Sequence, residues 1–294
     1  MMLKRKFGKN GPEVTIIGLG AGHIGEHNQD EKSIDNFLNE ILDLGINFID
    51  TARAYGLSEQ RIGKYLCHRR NEFILSTKVG YNVQWQPDWS YDAVKGGVEQ
   101  ALKLLKTDYI DIVHLHSCSK EILEKGDVII ALEDIKKEGK VRFIAYSGEN
   151  DELDYAIGIG RFDSIQTSVN ICDQRGITNY LPKAFKAGLG VIAKRPIGNA
   201  PWRHSSPPVG HYSEEYWHRM KKMNPDWHGF DPAELSLRFT VYTSGVTTAI
   251  IGSANIDHVK QHITSVENGP LPIEVIDYFN QLFIQNEENW VGLI

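Results

Sequence analysis

Apolar runs that alternate with helical segments constrain the fold of this 294-residue chain more than any other feature. The run 15–19 is apolar, and the segment after it carries apolar residues at the spacing of one helical face. These residues are Ile34, Phe37, Leu38, Ile41 and Leu42. Gly45 follows them as a C-terminal helix cap does, so the first unit reads as a strand followed by a helix.

The same strand-and-helix unit recurs along the chain. Its apolar strands begin near Thr15, Phe48, Phe73, Ile110, Val141, Ser164, Gly190 and Thr248. Continuous apolar strands are typical of parallel sheets whose two faces are both covered. Eight such units in 294 residues predict an α/β fold, a single (β/α)8 TIM barrel domain over residues 1–294. A doubly wound sheet is the alternative, but it usually carries Gly-x-Gly-x-x-Gly at the start of a helix.

Three segments do not fit this repeat. Residues 3–13 predict an N-terminal β-hairpin with Asn10 and Gly11 as its turn. Residues 197–231 are rich in proline and tryptophan and predict a long loop after strand seven. Long loops in compact domains are usually functional. The chain from Ile273 predicts an extra C-terminal helix.

Composition argues against several classes of function. The net charge is −6 and the pI is near 6.0, so nucleic acid is a poor candidate partner. No run approaches ~20 apolar residues, and the first residues lack the apolar core of a secretion signal. We therefore expect neither a membrane span nor export. Three widely spaced cysteines, an odd number, fit a reducing cytoplasm better than a disulfide framework.

Polar residues stand at the ends of three successive strands. Asp50 ends strand two, Lys78 ends strand three and His116 ends strand four. Tyr55 lies on the loop before a helix that Ser58 is expected to cap. Catalytic groups of a barrel lie at the carboxyl ends of its strands, so we expect these side chains to converge. A tyrosine acts as an acid near neutral pH only if a neighbour such as an ammonium favours its phenolate, and a carboxylate can hold that ammonium in place.

The segments that carry these residues resemble the aldo-keto reductase family. The resemblance rests on residues 45–59, 76–79 and 108–116 in this order, and it extends from about residue 3 to about residue 265. It implies a barrel enzyme that reduces an aldehyde or ketone to the alcohol, or catalyses the reverse, with NADPH and possibly NADH. It implies Tyr55 as the general acid and Lys78 as the group that tunes it. Asp50 would orient Lys78, and His116 would polarise the substrate carbonyl.

The resemblance also implies where the nicotinamide binds. Ser147 and Gln166 would hold its amide, and the first loop would lie near it. The expected cofactor-binding residues in this part of the barrel are Gly20, Ala21, Gly22, Asp50, Ser147, Gln166, Lys194 and Pro196. The glycines of the first loop alternate, which is not the spacing of a dinucleotide fingerprint. Many relatives carry asparagine where this chain has Gly148, and an aromatic ring where it has Lys194. A cation at this position would meet the pyrophosphate or a substrate anion instead of stacking on the nicotinamide.

Residues 251–258, after strand eight, resemble the family's adenosine-phosphate loop. Gly252, Ser253, Asn255 and His258 would bind the cofactor here. A helix N-terminus binds phosphate through its backbone N–H groups. Relatives that prefer the 2′-phosphate usually add lysine or arginine to this loop, which this chain lacks. We therefore expect activity with both cofactors.

Two other functions stay open at this point. His114 and His116 share one face of strand four and would suit a metal-dependent barrel hydrolase, but catalytic zinc needs three protein ligands. Four further histidines lie in the long loop rather than at strand ends, so we expect no metal: His204, His211, His218 and His228. A non-catalytic, cofactor-binding regulatory subunit is the second alternative. Several aromatic residues favour an apolar or ring-bearing carbonyl substrate: Tyr81, Trp85, Trp89 and Trp202.

Overall fold

The computed structural model describes residues 2–294 and consists of a hairpin, a closed barrel of parallel strands and an outer ring of helices. The strands are β1 (Lys4–Lys6), β2 (Glu13–Thr15), β3 (Ile17–Gly20), β4 (Phe48–Asp50), β5 (Ile74–Val79), β6 (Ile110–His116), β7 (Val141–Ser147), β8 (Ser164–Ser168), β9 (Gly190–Lys194) and β10 (Thr248–Gly252). Strands β3 to β10 form the barrel, which closes where β10 pairs with both β3 and β9. The predicted (β/α)8 barrel is confirmed, although its first strand begins at Ile17 rather than at Thr15.

Twelve α-helices lie among the described residues. They are α1 (Glu31–Asp43), α2 (Ser58–Leu66), α3 (Tyr91–Leu105), α4 (Lys120–Lys125), α5 (Asp127–Lys137), α6 (Asn150–Gly158), α7 (Arg175–Asn179), α8 (Leu181–Ala187), α9 (Glu214–Met223), α10 (Pro232–Tyr242), α11 (Ile256–Glu267) and α12 (Ile273–Asn286). Helix α1 shows why such segments are helical. The Asp30 carboxylate caps its N-terminus by accepting from the Ser33 N–H, and its buried face is the one that the periodicity predicted. Within residues 2–294, no helix has both the length and the apolar character that a membrane crossing requires.

The N-terminal hairpin closes the bottom of the barrel. The Phe7 side chain packs on Phe48 of β4 with ring centroids 6.0 Å apart. It also lies against Gly190, where a Cβ atom would approach the Phe7 ring to 2.6 Å. The connection between the two strands is the segment 7–12, closed by a 2.8 Å bond from Phe7 N–H to the Pro12 carbonyl. The predicted hairpin is confirmed, and Asn10 and Gly11 lie inside a turn that is wider than these two residues.

The segment after β9 is only partly a loop. It contains a short 3-10 helix, Pro201–Arg203, and the amphipathic helix α9. The buried residues of α9 pack with Phe279 and Phe283 of α12, the predicted C-terminal helix. The predicted long segment after strand seven is thus present, but part of it is helical. Helix α9 was missed because proline and tryptophan flank a polar stretch whose partner lies near the end of the chain.

Ser58 connects two loops at the top of the barrel instead of capping α2. It is the first residue of α2, and its side chain makes no capping bond. Its Oγ donates to the Ala21 carbonyl at 2.8 Å and accepts from the Thr51 hydroxyl at 2.8 Å. The hydroxyl thus links the first and second βα loops, which flank the site described next.

Candidate active site

A pocket of about 670 Å³ opens at the carboxyl ends of the barrel strands. Most of the residues predicted from the sequence line it: Gly20, Gly22, Asp50, Tyr55, Lys78, His116, Ser147, Gln166, Lys194, Pro196 and Gly252. The parallel register brings them together, since Asp50 pairs with Ser76 of β5, and Lys78 pairs with His114 of β6. The pocket therefore lies where catalytic groups of such barrels are found.

Lys78 and Asp50 form a buried ion pair on one side of the pocket. The Lys78 Nζ donates to Asp50 Oδ2 at 2.5 Å and to the Thr51 carbonyl at 2.9 Å. Lys78 is only 2% exposed. Its burial opposes the charge, but Asp50 and Tyr55 prevail and raise the pKa of Lys78 above its ordinary value. The ammonium is therefore a permanent charge in this part of the pocket.

Tyr55 lies beside this ammonium. The Lys78 Nζ is 5.0 Å from the centroid of the Tyr55 ring, and the His116 ring centroid lies 6.2 Å away on another side, edge-on. The tyrosine reaches this place because its backbone passes very close to Gly25. A Cβ atom at Gly25 would come within 1.8 Å of the Tyr55 carbonyl oxygen. Only glycine fits there, so the first loop of the barrel determines where the phenol lies.

His114 lies one layer beneath the pocket. Its Nε2 is 3.1 Å from the Ser76 hydroxyl, which donates to Asp50 Oδ1 at 2.8 Å. Burial, followed by the charges of Lys78 and His116, holds the pKa of His114 well below its ordinary value. His114 and His116 therefore share a face of β6, as predicted, but have different partners. Across residues 2–294, no three histidine, cysteine or acidic side chains are grouped as metal ligands would be.

His116 bonds with Tyr81, a residue for which the sequence suggested a different role. Its Nδ1 lies 2.8 Å from the hydroxyl of Tyr81, and the two rings stack with centroids 5.5 Å apart. Burial, then the charges of Lys78 and Lys194, lower the pKa of His116 to about 3. The imidazole is therefore neutral at physiological pH. Tyr81 was expected only to shape an apolar pocket.

Lys194 is not the free cation that the sequence suggested. Its Nζ lies 3.2 Å from Glu149 Oε1. Glu149 also accepts from the Thr167 hydroxyl at 2.7 Å and from the Ser168 N–H at 2.8 Å. Burial outweighs the attraction of Glu149 and lowers the pKa of Lys194. Sequence reasoning missed Glu149, because a glutamate before a helix resembles any solvated helix start.

Ser147 and Gln166 form a polar pair on neighbouring strands. The Ser147 hydroxyl donates to Gln166 Oε1 at 3.0 Å. The Gln166 Nε2 is buried and has no hydrogen-bond partner among the described residues. Buried amide donors are rarely left unpaired in proteins, so this donor is available to a ligand in the pocket.

Four predicted residues do not line the pocket. Ala21 is buried, and its N–H donates to the Asp50 carbonyl at 2.8 Å. In the loop after β10, the Ser253 hydroxyl accepts from the Asn255 N–H at 3.0 Å. The Asn255 side chain in turn caps α11 by accepting from Asp257 N–H at 2.9 Å. His258 lies on α11, so of this loop only Gly252 reaches the pocket wall.

Other lining residues carried no strand-end signal in the sequence. They come from the first loop, the segment after β9 and the end of the chain, and they include His23, Arg195, Asn199, Arg203, Tyr212 and Ile294. Several hydrogen bonds hold the last residues against the barrel. The Asn150 side chain bonds both the N–H and the carbonyl of Gly292, and the Arg195 guanidinium donates to the Leu293 carbonyl. Such contacts between distant segments leave no local pattern in a sequence.

Comparison with known proteins places the chain among enzymes. A sequence model described as the Aldo/keto reductase family matches residues 16–284. An uncharacterized oxidoreductase, YqkF of Bacillus subtilis, is 28% identical and covers 94% of each chain. The L-galactose dehydrogenase of Arabidopsis thaliana is 26% identical over 89% of this chain and 87% of its own. The holo form of aldo-keto reductase AKR11C1 from Bacillus halodurans superposes with a TM-score of 0.84, with 29% identity over 96% of each chain.

Proposed function

The chain belongs to the aldo/keto reductase family and is an NAD(P)-dependent oxidoreductase, and from that premise we propose that Tyr55 is its proton donor in carbonyl reduction. The proposed reaction converts an aldehyde or ketone to the alcohol, or runs in reverse. In this proposal the hairpin, the barrel and α12 act as one domain over residues 1–294. The observation that carries the proposal is the ammonium of Lys78, which lies between a carboxylate at 2.5 Å and the Tyr55 ring at 5.0 Å.

The arrangement around Tyr55 has a direct chemical consequence. A proton donor leaves an anion behind, and a nearby positive charge stabilises that anion. Lys78 supplies the charge, and Asp50 together with the Thr51 carbonyl keeps its ammonium oriented. General acid catalysis of this kind contributes roughly 10²–10⁴-fold to a rate. Tyr55 then holds and transfers one proton at its phenolic oxygen.

His116 acts on the same substrate oxygen in this proposal. Because its imidazole is neutral, His116 carries a single N–H. It donates one hydrogen bond to the carbonyl oxygen as an uncharged donor. A donor aimed at an oxygen that becomes negative stabilises the transition state more than the ground state.

The pocket residues fit a nicotinamide cofactor. The unpaired Gln166 Nε2 and the Ser147 hydroxyl offer polar groups that suit a carboxamide. A Cβ atom at Gly22 would meet no described atom nearer than Tyr55 at 4.0 Å, so the glycine leaves space open above the first loop. When bound, the cofactor supplies the hydride. The proposed cofactor residues are Gly20, Ala21, Gly22, Asp50, Ser147, Gln166, Lys194, Pro196, Gly252, Ser253, Asn255 and His258.

We propose that the enzyme accepts both NADPH and NADH. The loop 251–258 contains no lysine or arginine for a 2′-phosphate, and Glu149 offsets the charge of Lys194. Arg195 would meet the pyrophosphate, which both cofactors share. A charge-assisted bond to the 2′-phosphate would contribute roughly 1.5–3 kcal/mol. We expect kcat/KM with NADPH to exceed that with NADH by no more than ~100-fold. A preference beyond about a thousand-fold, which is ~4 kcal/mol, would contradict this assignment of the adenosine site.

The experiment that tests the function is a turnover screen of aldehydes, ketones and sugars with NADPH and NADH side by side. Sugars are included because one relative is named an L-galactose dehydrogenase. Tyr55→Phe keeps the ring and removes the acid, so kcat on any substrate found should fall at least ~10²-fold while the cofactor still binds. Tyr91→Phe is the matched control, since it removes a phenol that bonds only Asp134 on an outer helix.

The same screen, together with metal analysis of the pure protein and a hydrolysis assay, separates the alternatives. Near-normal turnover by Tyr55→Phe would show that another group is the acid. Cofactor binding without turnover on any substrate would favour the regulatory subunit. Hydrolysis that stops when a chelator is added and returns with a divalent metal would favour the hydrolase.

A further inference from the structure

The loop that follows β5 is built to place one side chain, Tyr81. Gly80 has a φ of +133°, and Trp89 packs directly on it. A Cβ atom at Gly80 would lie 2.1 Å from the Trp89 ring, so a larger residue would displace the indole. The backbone N–H of Trp89 donates to the Gly80 carbonyl at 2.6 Å and closes the loop at its base. The indole then lies against Tyr81, with ring centroids 5.4 Å apart.

Two further bonds hold this loop in position. The Asn82 N–H donates to the Asp88 carboxylate at 3.0 Å, which closes the middle of the loop. The Arg53 Nε donates to the Asn82 carbonyl at 3.1 Å, which joins the loop to the segment that carries Tyr55. Tyr81 is therefore held by its own loop and by the neighbouring one. Its ring stacks on His116 and packs at a tilt against Trp89.

The hydroxyl of Tyr81 and the Nδ1 of His116 are 2.8 Å apart, so one of them donates to the other. A neutral imidazole carries one N–H, on either Nδ1 or Nε2. If Nδ1 carried the proton, the Tyr81 hydroxyl would be an acceptor, and its own proton would have to be given to solvent or to a second protein group. Among residues 2–294 the structure records only His116 as a partner of this hydroxyl. If the Tyr81 hydroxyl donates instead, its proton is bonded to Nδ1 of His116, and the single N–H of the imidazole lies on Nε2.

We propose that Tyr81 is a positioning residue, whose hydroxyl donates to Nδ1 of His116 and so selects the tautomer that carries its proton on Nε2. Since Tyr81 occupies the Nδ1 side, Nε2 is the nitrogen left for the pocket that His116 lines. That the Nε2–H meets a substrate carbonyl oxygen rests on the proposed function. With the other tautomer, a nitrogen lone pair would face the oxygen and repel it. Partners of one ring nitrogen commonly set the role of the other in this manner.

The test reads the tautomer directly. The ¹⁵N chemical shifts of an imidazole report which nitrogen carries the proton, and a spectrum of His116→Gln in ¹⁵N-histidine-labelled protein identifies the His116 signals. We expect Nε2 to be the protonated nitrogen in the wild type and a second tautomer to appear in Tyr81→Phe. Tyr81→Phe retains the stacked ring and removes only the hydroxyl. A wild type protonated on Nδ1 would overturn the proposal, as would a variant in which Nε2 remains the sole protonated nitrogen.

The kinetic readout is a split between kcat and KM. We expect kcat to fall about tenfold in Tyr81→Phe, which corresponds to about 1.4 kcal/mol, while KM changes less than about threefold. Tyr91→Phe should keep the wild-type kcat and an unchanged tautomer. An unaltered kcat in Tyr81→Phe would overturn the positioning role. The spectra need no turnover, so failure of the proposed function, seen as a normal Tyr55→Phe, is distinguishable from failure of this proposal.

Discussion

Two lysines line opposite parts of one pocket, Lys78 fully buried and Lys194 slightly exposed, and their environments differ. Lys78 and Lys194 both lie at the carboxyl ends of barrel strands and both pair with a carboxylate. The Lys78 Nζ lies 2.5 Å from Asp50, and the pKa of Lys78 is raised by Asp50 and Tyr55 in spite of burial. The Lys194 Nζ lies 3.2 Å from its glutamate, and burial lowers the pKa of Lys194.

The two lysines differ in the charges beside them, and their carboxylates differ in what else they bind. Asp50 accepts from Lys78 and from one hydroxyl, that of Ser76. Glu149 already accepts from a hydroxyl and a backbone N–H, and it shares the oxygen nearer to Lys194 with that N–H. Lys194 also lies near a second cation, Arg195. Burial is thus overcome at Lys78, where Asp50 and Tyr55 favour the ammonium, and it prevails at Lys194, where Arg195 opposes the attraction of Glu149.

The largest expected contrast is in stability. Lys78→Met leaves Asp50 buried with a single donor, and removing one partner of a buried pair costs about 3–5 kcal/mol. Lys194→Met should cost less, because Glu149 keeps two donors. The double variant Asp50→Asn/Lys78→Met should recover most of the loss. Urea unfolding with an unchanged slope measures all three, and equal losses in the two single variants would remove the distinction.

The next contrast is in catalysis. Lys78→Met should lower kcat at least ~10²-fold, because Tyr55 loses the ammonium that favours its ionised form. In any residual activity, the basic limb of the pH–rate profile should move to higher pH. The double variant should stay inactive although it is stable, which separates chemistry from folding. A basic limb that does not move would assign Lys78 a different role.

A smaller effect is expected at the other lysine. Lys194→Met should lower kcat less than ~10-fold and change the dissociation constant of NADPH less than ~10-fold, because Glu149 already offsets its charge. Fluorescence titration of the cofactor and initial rates measure the two quantities. A loss as large as that of Lys78→Met would show that both lysines serve the reaction equally.

The smallest expected effect is a pH slope. Lys194 has a folded pKa below its ordinary value of 10.5, so the unfolded chain binds more protons between the two values. Stability rises with pH wherever the unfolded state binds more protons. The cost of charging Lys194 is thus fully present below its folded pKa and is relieved as pH rises towards 10.5.

Thermal melts of the wild type and Lys194→Met between pH 7 and 10 measure this slope. The Tm of the wild type minus that of the variant should increase with pH. A constant difference would mean that Lys194 is no harder to protonate than a surface lysine.

The sequence indicated that Asp50, Lys78 and His116 would converge, and the structure places them around one pocket for a physical reason. In a parallel barrel, every strand ends at the same rim, so polar residues that close apolar runs converge there. The spacing of two between His114 and His116 also placed them correctly on one face, in successive layers. Their pairing with Ser76 and Tyr81 depends on side chains of another strand and loop, and no spacing within β6 reveals it.

The sequence by itself determined the barrel, its order of strands and the chemical types at the rim, because periodicity and strand ends are local properties. Only the tertiary structure decided which of these groups are charged and what they contact. It pairs Lys194 with Glu149, places Tyr81 on His116 and brings Ile294 to the pocket wall. These outcomes depend on burial and on contacts between segments far apart in the chain, and a local pattern contains neither.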